Sequence, residues 1–241
     1  TRPRSEVTAE QHKEFFGHVT GNYSDPAMTI HYRAEGRHEY TVLLYVPTER
    51  PFDLYDPERR GRQKLYVKRV YIADDAQLLP PYLRFVRGVV DSADLPLNVS
   101  RELLQQDPEA AAIKAAITRR VLDLLARLGA DEPQKYRAFW AGFGNVLKEG
   151  VIEDPGNRER ILPLLRFAST AAEGQTVSLA DYVARMPAGQ QHIWYLLADS
   201  EATARASPQL EGLRARGVEV LLLYDRIDPW LMAQLDAFDG K

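Results

Sequence analysis

Apolar residues recur along this chain in two rhythms, and the switches between them mark out its elements. Glu39 to Val46 is dense in Tyr, Val and Leu, and Leu65 to Ile72 alternates Tyr, Val, Val and Ile with polar neighbours, predicting two strands of a hairpin-like pair. Between them runs Pro47 to Lys64, a long connection with three prolines and a basic run, Glu58-Arg-Arg-Gly-Arg62, read as a solvated loop. Asp107-Pro108 then opens a helix, the aspartate as cap and the proline pre-set for the first turn. Ile113, Ile117, Val121, Leu124 and Leu128 follow at helical spacing, with Gly129 placed to end it. Pro133 starts a second helix whose Tyr136, Phe139, Trp140, Phe143 and Leu147 share one face, a core stripe rather than a cofactor box, and Gly150 closes it. A third short helix is predicted over Arg158 to Phe167.

From Gln175 the pattern changes. Ser178-x-x-Asp181 is a capping box. His192 to Ala198 and Val218 to Leu223 are continuous apolar runs that suit strands buried on both faces, with a short helix, Leu210 to Arg216, ending at Gly217 between them. Strand, helix, strand at this length predicts a βαβ unit with parallel strands. Asp228 is expected to cap a last helix, with Pro229 in its first turn. The chain thus reads as two α/β units, the first to about residue 128 and the second from about 166, joined by a helical connector over 129–165.

Composition narrows the function classes. Of 241 residues, 45% are hydrophobic and 27% charged, and the net charge of −3 gives no reason to expect a nucleic-acid partner. Without cysteine, disulfides and thiol catalysis are excluded, which fits a reducing compartment. No apolar run approaches the roughly 20 residues that span a bilayer. No signal peptide is visible at Thr1, and the absence of an initial methionine suggests an excised fragment whose upstream targeting signal could have been lost. There is no P-loop, no G-x-G-x-x-G and no G-x-S-x-G, so the chain holds no nucleotide cradle or nucleophile elbow of its own. His12, His18, His31, His38 and His192 lack metal-ligand spacing; His31 and His38 flank a polar turn and are expected to be solvated, and no metal is expected. Asp74-Asp75 reads as turn residues, not an acid/base pair.

One stretch carries possible chemistry. In Asp91 to Pro108, Pro96 stiffens the chain, Asn98 suits a turn and Ser100 is a good N-cap. Arg101 would then stand at the start of a short helix, where free N–H groups and the dipole favour an anion and a guanidinium fork matches phosphate oxygens. Gln105, four residues on, shares its face. An arginine beside a cap also commonly pairs with a nearby carboxylate or solvent, and the residues alone leave both readings open.

The string Leu95-Pro-Leu-Asn-Val-Ser-Arg-Glu-Leu-Leu-Gln-Gln106, led into by Tyr82-Leu-Arg-Phe-Val-Arg-Gly-Val-Val-Asp91, resembles the catalytic loop of the middle domain in the ninety-kilodalton heat-shock chaperone family. Further strings in family order are Arg2-Pro-Arg-Ser-Glu6, Leu65-Tyr-Val-Lys-Arg-Val-Tyr-Ile72, Leu164-Leu-Arg-Phe-Ala-Ser-Thr170, Asp181-Tyr-Val-Ala-Arg-Met186 and Val220-Leu-Leu-Leu-Tyr-Asp-Arg-Ile-Asp228. Phe238-Asp-Gly-Lys241 is similar to the junction with the C-terminal domain, and the wording is closest to the bacterial, HtpG-type branch.

The resemblance implies a large αβα three-layer unit, a helical coil and a smaller αβα unit. It implies an ATP-driven, cytoplasmic, homodimeric chaperone of the stress response, with ATP and Mg²⁺ held by an N-terminal domain absent here. Arg101 would reach the γ-phosphate as an arginine finger, with Gln105 and Asn98 in support. The fragment itself would bind no nucleotide, be inactive and monomeric, and contact its own N- and C-terminal domains, partly unfolded client proteins and co-chaperones, but neither nucleic acid nor membrane. Phe52, Leu54 and Tyr55 in the long loop, and Trp230, Leu231 and Met232 on the last helix, are candidate client contacts. Pro229 stands where relatives carry an acidic residue and Ala233 where some carry asparagine, so polar client contacts there are not expected. Two alternatives from other classes are a free-standing α/β hydrolase using Arg101 as a substrate clamp and a non-catalytic interaction adaptor.

Overall fold

The structure is a computed structural model that describes residues 2–22, 24–56, 63–74, 76–97, 104 and 106–241. The chain divides into two units, Thr1–Leu124 and Leu125–Lys241. The division falls within a helix, and the expected connector, 129–165, belongs to the second unit.

In the first unit, α1 (Ala9–Thr20) starts at a reciprocal capping box between Thr8 and Gln11 and stops at Gly21, whose φ of 73° needs no Cβ. Five strands follow: β1 (Met28–Ala34), β2 (Tyr40–Val46), β3 (Gln63–Val67), β4 (Val70–Ala73) and β5 (Arg87–Ser92). Their order is β1-β2-β5-β3-β4, with β3 parallel to β5 and every other pair antiparallel. β2 therefore pairs with β1 and β5, not with Leu65–Ile72 as the sequence pattern predicts. That second stretch is itself a hairpin, β3–β4. It turns at Lys68 and Arg69, with φ of 50° and 69°, the left-handed pair a two-residue hairpin of this twist requires. Their N–H groups are held by Ser92 O at 2.9 Å and Asp91 Oδ1 at 3.1 Å, which lets two long side chains occupy a turn usually given to Asn-Gly.

Alternation across the sheet sets the layers. His31 and Tyr45 face α1, meeting His12 and Phe16 ring to ring. Tyr32 on β1 points the other way, under the guanidinium of Arg120 on α2 (Pro108–Asp131). Helix, sheet and helix form the expected αβα order. Between β2 and β5 the backbones approach so closely that a Cβ on Gly88 would lie 2.2 Å from Leu43 O. Asp107 caps α2, its Oδ1 accepting from the N–H groups of Glu109 (2.8 Å) and Ala110 (3.0 Å). Gly129 does not stop α2, which continues to Asp131: its φ is not left-handed and its neighbour Tyr136 packs over it.

In the second unit, α3 (Pro133–Glu153) buries the aromatic stripe Tyr136, Phe139, Trp140 and Phe143. Gly150 does not end it either; its carbonyl accepts from the N–H of Asp154, the cap residue directly after Glu153. The third predicted helix is one turn, α4 (Arg158–Ile161), followed by a 3₁₀ turn, Leu162–Leu164, because the chain must extend again into β6 (Phe167–Ser169). β7 (Ala172–Val177), β8 (Tyr195–Leu197) and β9 (Leu221–Leu223) complete a sheet ordered β7-β6-β9-β8, with β8 parallel to β9 and the rest antiparallel. The sheet is mixed, not purely parallel. β9, in the middle, is buried as predicted; β8 is an edge strand, and Trp194, Tyr195 and Leu197 are each about half exposed. Short helices α5 (Leu179–Arg185), α6 (Glu201–Arg205), α7 (Glu211–Ala215) and α8 (Asp228–Gln234) fill the remainder, α5 behind the predicted Ser178–Asp181 capping box.

One ionic cluster fixes α8 on α3. Lys148, fully buried, donates from Nζ to Asp225 Oδ2 and Asp228 Oδ1, both at 2.7 Å, and lies 4.7 Å from the Phe167 ring centre. Gln175 donates to Asp225 at 2.6 Å and accepts from Trp140 Nε1 at 2.8 Å. Asp228 therefore does not cap α8; its second oxygen accepts from Asp225 N–H at 2.9 Å, closing the turn before the helix. Burial holds the Asp228 carboxyl above the usual carboxylate range, against the pull of Lys148.

Removing the cation should be costly, since it strands two buried carboxylates. Lys148→Met is expected to lower stability by about 3–5 kcal/mol at neutral pH. A carboxyl whose folded-state pKa is raised destabilises the fold only where it is ionised, so the deficit should shrink as pH falls toward the carboxylate range. Urea unfolding at pH 7 and pH 4 measures both; an equal deficit at the two values contradicts the assignment.

Candidate functional site

Asn98, Arg101 and Gln105 lie outside the described residues. The structure describes how their segment is held on either side. Ser92, at the end of β5, is buried, and its Oγ accepts from the N–H groups of Asp94 and Leu95, both at 3.2 Å. Leu95 is fully buried and Leu104 nearly so, while Leu97 is half exposed. Asp107 then caps α2. Two apolar anchors and a helix cap thus bracket Arg101 in sequence, so the segment is tied to the first unit on both sides.

The histidines separate into different surroundings. His31 is buried, contrary to the expectation of solvation, because β1 turns it toward α1. With His12, His18 and Tyr45 it lines a cleft of about 440 Å³. His12 Nδ1 lies 3.0 Å from Tyr45 Oη. Burial, helped by Arg4, holds both the His12 and His31 imidazoles below their ordinary pKa, and burial pushes the Tyr45 phenol up to about 12. The His12 and His31 rings are therefore neutral at pH 7. Among the described residues, His38 is the one histidine that joins a potential metal-ligating group, with Asp94 and Glu109, which linear spacing could not reveal because the three come from separate parts of the chain.

The proposed client contacts divide by burial. Phe52 is completely exposed and Tyr55 half exposed, whereas Leu54 between them is fully buried and is not a surface group. Arg84 holds this short turn in place: its Nε donates to Leu54 O at 2.9 Å and its guanidinium lies over the Tyr55 ring. On α8, Trp230 is 63% exposed and Met232 partly so, but Leu231 is fully buried, as helical geometry requires of one residue in three or four. The sequence reading missed the exposed Trp194, Tyr195 and Leu197 by assigning their run to a central strand. Among the described residues, no helix is long and apolar enough to cross a membrane.

A family profile described as Hsp90 protein matches residues 1–241. The chaperone protein HtpG of Mesorhizobium japonicum is 55% identical over 240 residues, covering all of this chain and 38% of that protein. HtpG of Chromobacterium violaceum is 54% identical over 244 residues, covering 39% of its length. The chain thus spans about two fifths of the curated relatives it matches. The middle domain of a Plasmodium falciparum heat-shock protein superposes with a TM-score of 0.88 at 28% identity, covering 99% of this chain and 95% of that one.

Burial predicts opposite outcomes for neighbouring residues. Leu54→Ala should cost about 2–5 kcal/mol, since it opens a cavity in the core. Phe52→Ser should change stability by less than about 0.5 kcal/mol, as an exposed substitution does. Equilibrium denaturation of the two variants checks both, and a large loss for Phe52→Ser would place that ring in a core.

Proposed function

Because the chain belongs to the Hsp90 protein family and has the fold of its middle domain, we propose that it is the middle domain of an ATP-dependent, homodimeric molecular chaperone. In this reading Arg101 is delivered to the γ-phosphate of ATP held by a separate N-terminal domain, with Gln105 and Asn98 beside it. What supports the reading most is the match over the whole chain at 55% identity to a chaperone, which includes the segment carrying Arg101. The structure adds a physical rationale: the buried Leu95 and the Asp107 cap tether that segment to a rigid sheet and helix. A group that must meet a phosphate on another domain has to be both displayed and held.

The chemistry assigned to Arg101 is charge stabilisation. ATP with Mg²⁺ supplies the reacting phosphoryl group; the guanidinium neutralises charge that builds on it in the transition state. The chain carries no cradle motif for adenine, ribose or Mg²⁺, so the middle domain alone is assigned no hydrolysis. Client chains would meet exposed apolar groups, Phe52 and Tyr55 on the first unit and Trp230 and Met232 on the second. Leu54 and Leu231 are buried and are not assigned to the client surface. Cytoplasmic residence, the stress-response role, co-chaperones and pairing through a C-terminal domain belong to the same reading.

In the full-length protein, Arg101→Ala should reduce single-turnover ATP hydrolysis by up to the order of 10²–10³, the cost of one lost oxyanion-type donor. ATP affinity should stay close to that of the parent, since the contact forms only in the reacting arrangement. Arg101→Lys should not rescue, lacking the planar fork, and Gln105→Ala should lose less. Hydrolysis by Arg101→Ala at the parent rate would remove the catalytic assignment and favour the adaptor.

A further inference from the structure

We propose that His38, Asp94 and Glu109 form a site for one divalent transition-metal ion of the zinc class, fastening together the two ends of the segment that carries Arg101. The three residues come from separate places: the turn before β2, the exit of β5 and the first turn of α2. Their ligand atoms nevertheless all lie within 4.8 Å of one another.

Each side chain is brought there by backbone structure that does not depend on an ion. Glu39 N–H donates to Asp94 Oδ2 at 2.6 Å, and Ala93 N–H donates to Glu39 O at 2.9 Å. These two bonds clip the His38–Glu39 turn onto residues 93–94 and leave the other oxygen of Asp94 available. Asp107 fixes the start of α2 through the N–H of Glu109 itself, at 2.8 Å. Such second-layer bonds are what holds ligands in a preformed site.

Two observations favour an ion over a plain cluster of charges. Glu109 Oε1 is buried, yet it has no hydrogen-bond partner among the described residues. A buried carboxylate oxygen without a donor is rare and calls for a partner. His38 Nδ1 faces it at 3.7 Å, close enough for an ion pair with protonated His38 but longer than an ordinary hydrogen bond. That spacing is instead close to the roughly 3.4 Å between two ligands on a tetrahedral ion with bonds of about 2.1 Å.

Donor chemistry selects the ion class. One imidazole nitrogen with two carboxylate oxygens suits zinc and its neighbours, whereas calcium and magnesium prefer all-oxygen shells. Two carboxylates neutralise a divalent charge. Three protein ligands leave a position for water or for a further group.

The consequence follows from chain order. Asp94 precedes and Glu109 follows residues 95–108, so one ion bound by both closes that segment into a loop with fixed ends. The site stands whether or not Arg101 acts on a phosphate.

Calorimetric titration of the 241-residue chain with zinc chloride, with cobalt(II) absorbance as a second probe, tests the proposal. One ion should bind in the micromolar range or tighter. His38→Gln, Asp94→Asn and Glu109→Gln should each weaken it by at least about tenfold, with unchanged circular dichroism. His12→Gln and His31→Gln, in the separate cleft, should leave it intact. Zinc should also slow tryptic cleavage at Arg101 in the parent chain but not in His38→Gln. No binding at millimolar zinc, or binding that the first three variants leave untouched, overturns the site. Binding without protection of Arg101 overturns the fastening of the segment.

Discussion

A lysine with no access to water is the constraint around which the second unit is built. Lys148 has to be satisfied within the fold, and the fold supplies two aspartates and an aromatic face to do it. Meeting that demand fixes where α8 begins and how the turn after β9 closes, since Asp228 serves both the ammonium and the Asp225 N–H. The exposed Trp230 on α8 thereby inherits its position from a charge it never touches. Buried ion pairs add little net stability over an apolar core, because desolvation consumes most of the attraction. They are demanding about geometry, and orientation of a surface helix is what this one supplies.

Local signals in the sequence translate well where one short-range rule dominates. Thr8, Ser178 and Asp107 sit at helix starts, and the last two were legible because a side-chain oxygen directly ahead of a helix, accepting from the N–H three residues on, has few competing uses. The aromatic stripe of α3 was legible for the same reason. Strand pairing was not. β2 and the Leu65–Ile72 stretch are adjacent in the linear pattern, but β5 lies between β2 and β3 in space, and no local feature of Val89 or Val90 announces that insertion. The turn at Lys68-Arg69 was hidden because its left-handed backbone is stabilised by Ser92 and Asp91, far away in sequence, rather than by glycine.

The candidate groups show the same division. The segment around Arg101 is readable as a string, and its anchors Leu95 and Asp107 do what their residue types suggest. Leu54 and Phe52 are indistinguishable by composition and opposite in burial, and the contact that pins this turn, Arg84 to Leu54 O, comes from thirty residues on. His38 offered no pattern at all, since Asp94 and Glu109 approach it only through β5 and α2.

The hairpin at Lys68-Arg69 has one more consequence. β4 is an edge strand with Val70 and Tyr71 about half exposed, the kind of rim on which identical chains stack strand to strand. Two positive charges stand at its tip, both exposed, and a second molecule approaching in register would bring the same pair against them. Like charges repel over about 10 Å at moderate salt, further than strand pairing reaches. The turn thus works as a guard on solubility, letting the protein keep apolar surface on display without its own copies being the first to settle on it.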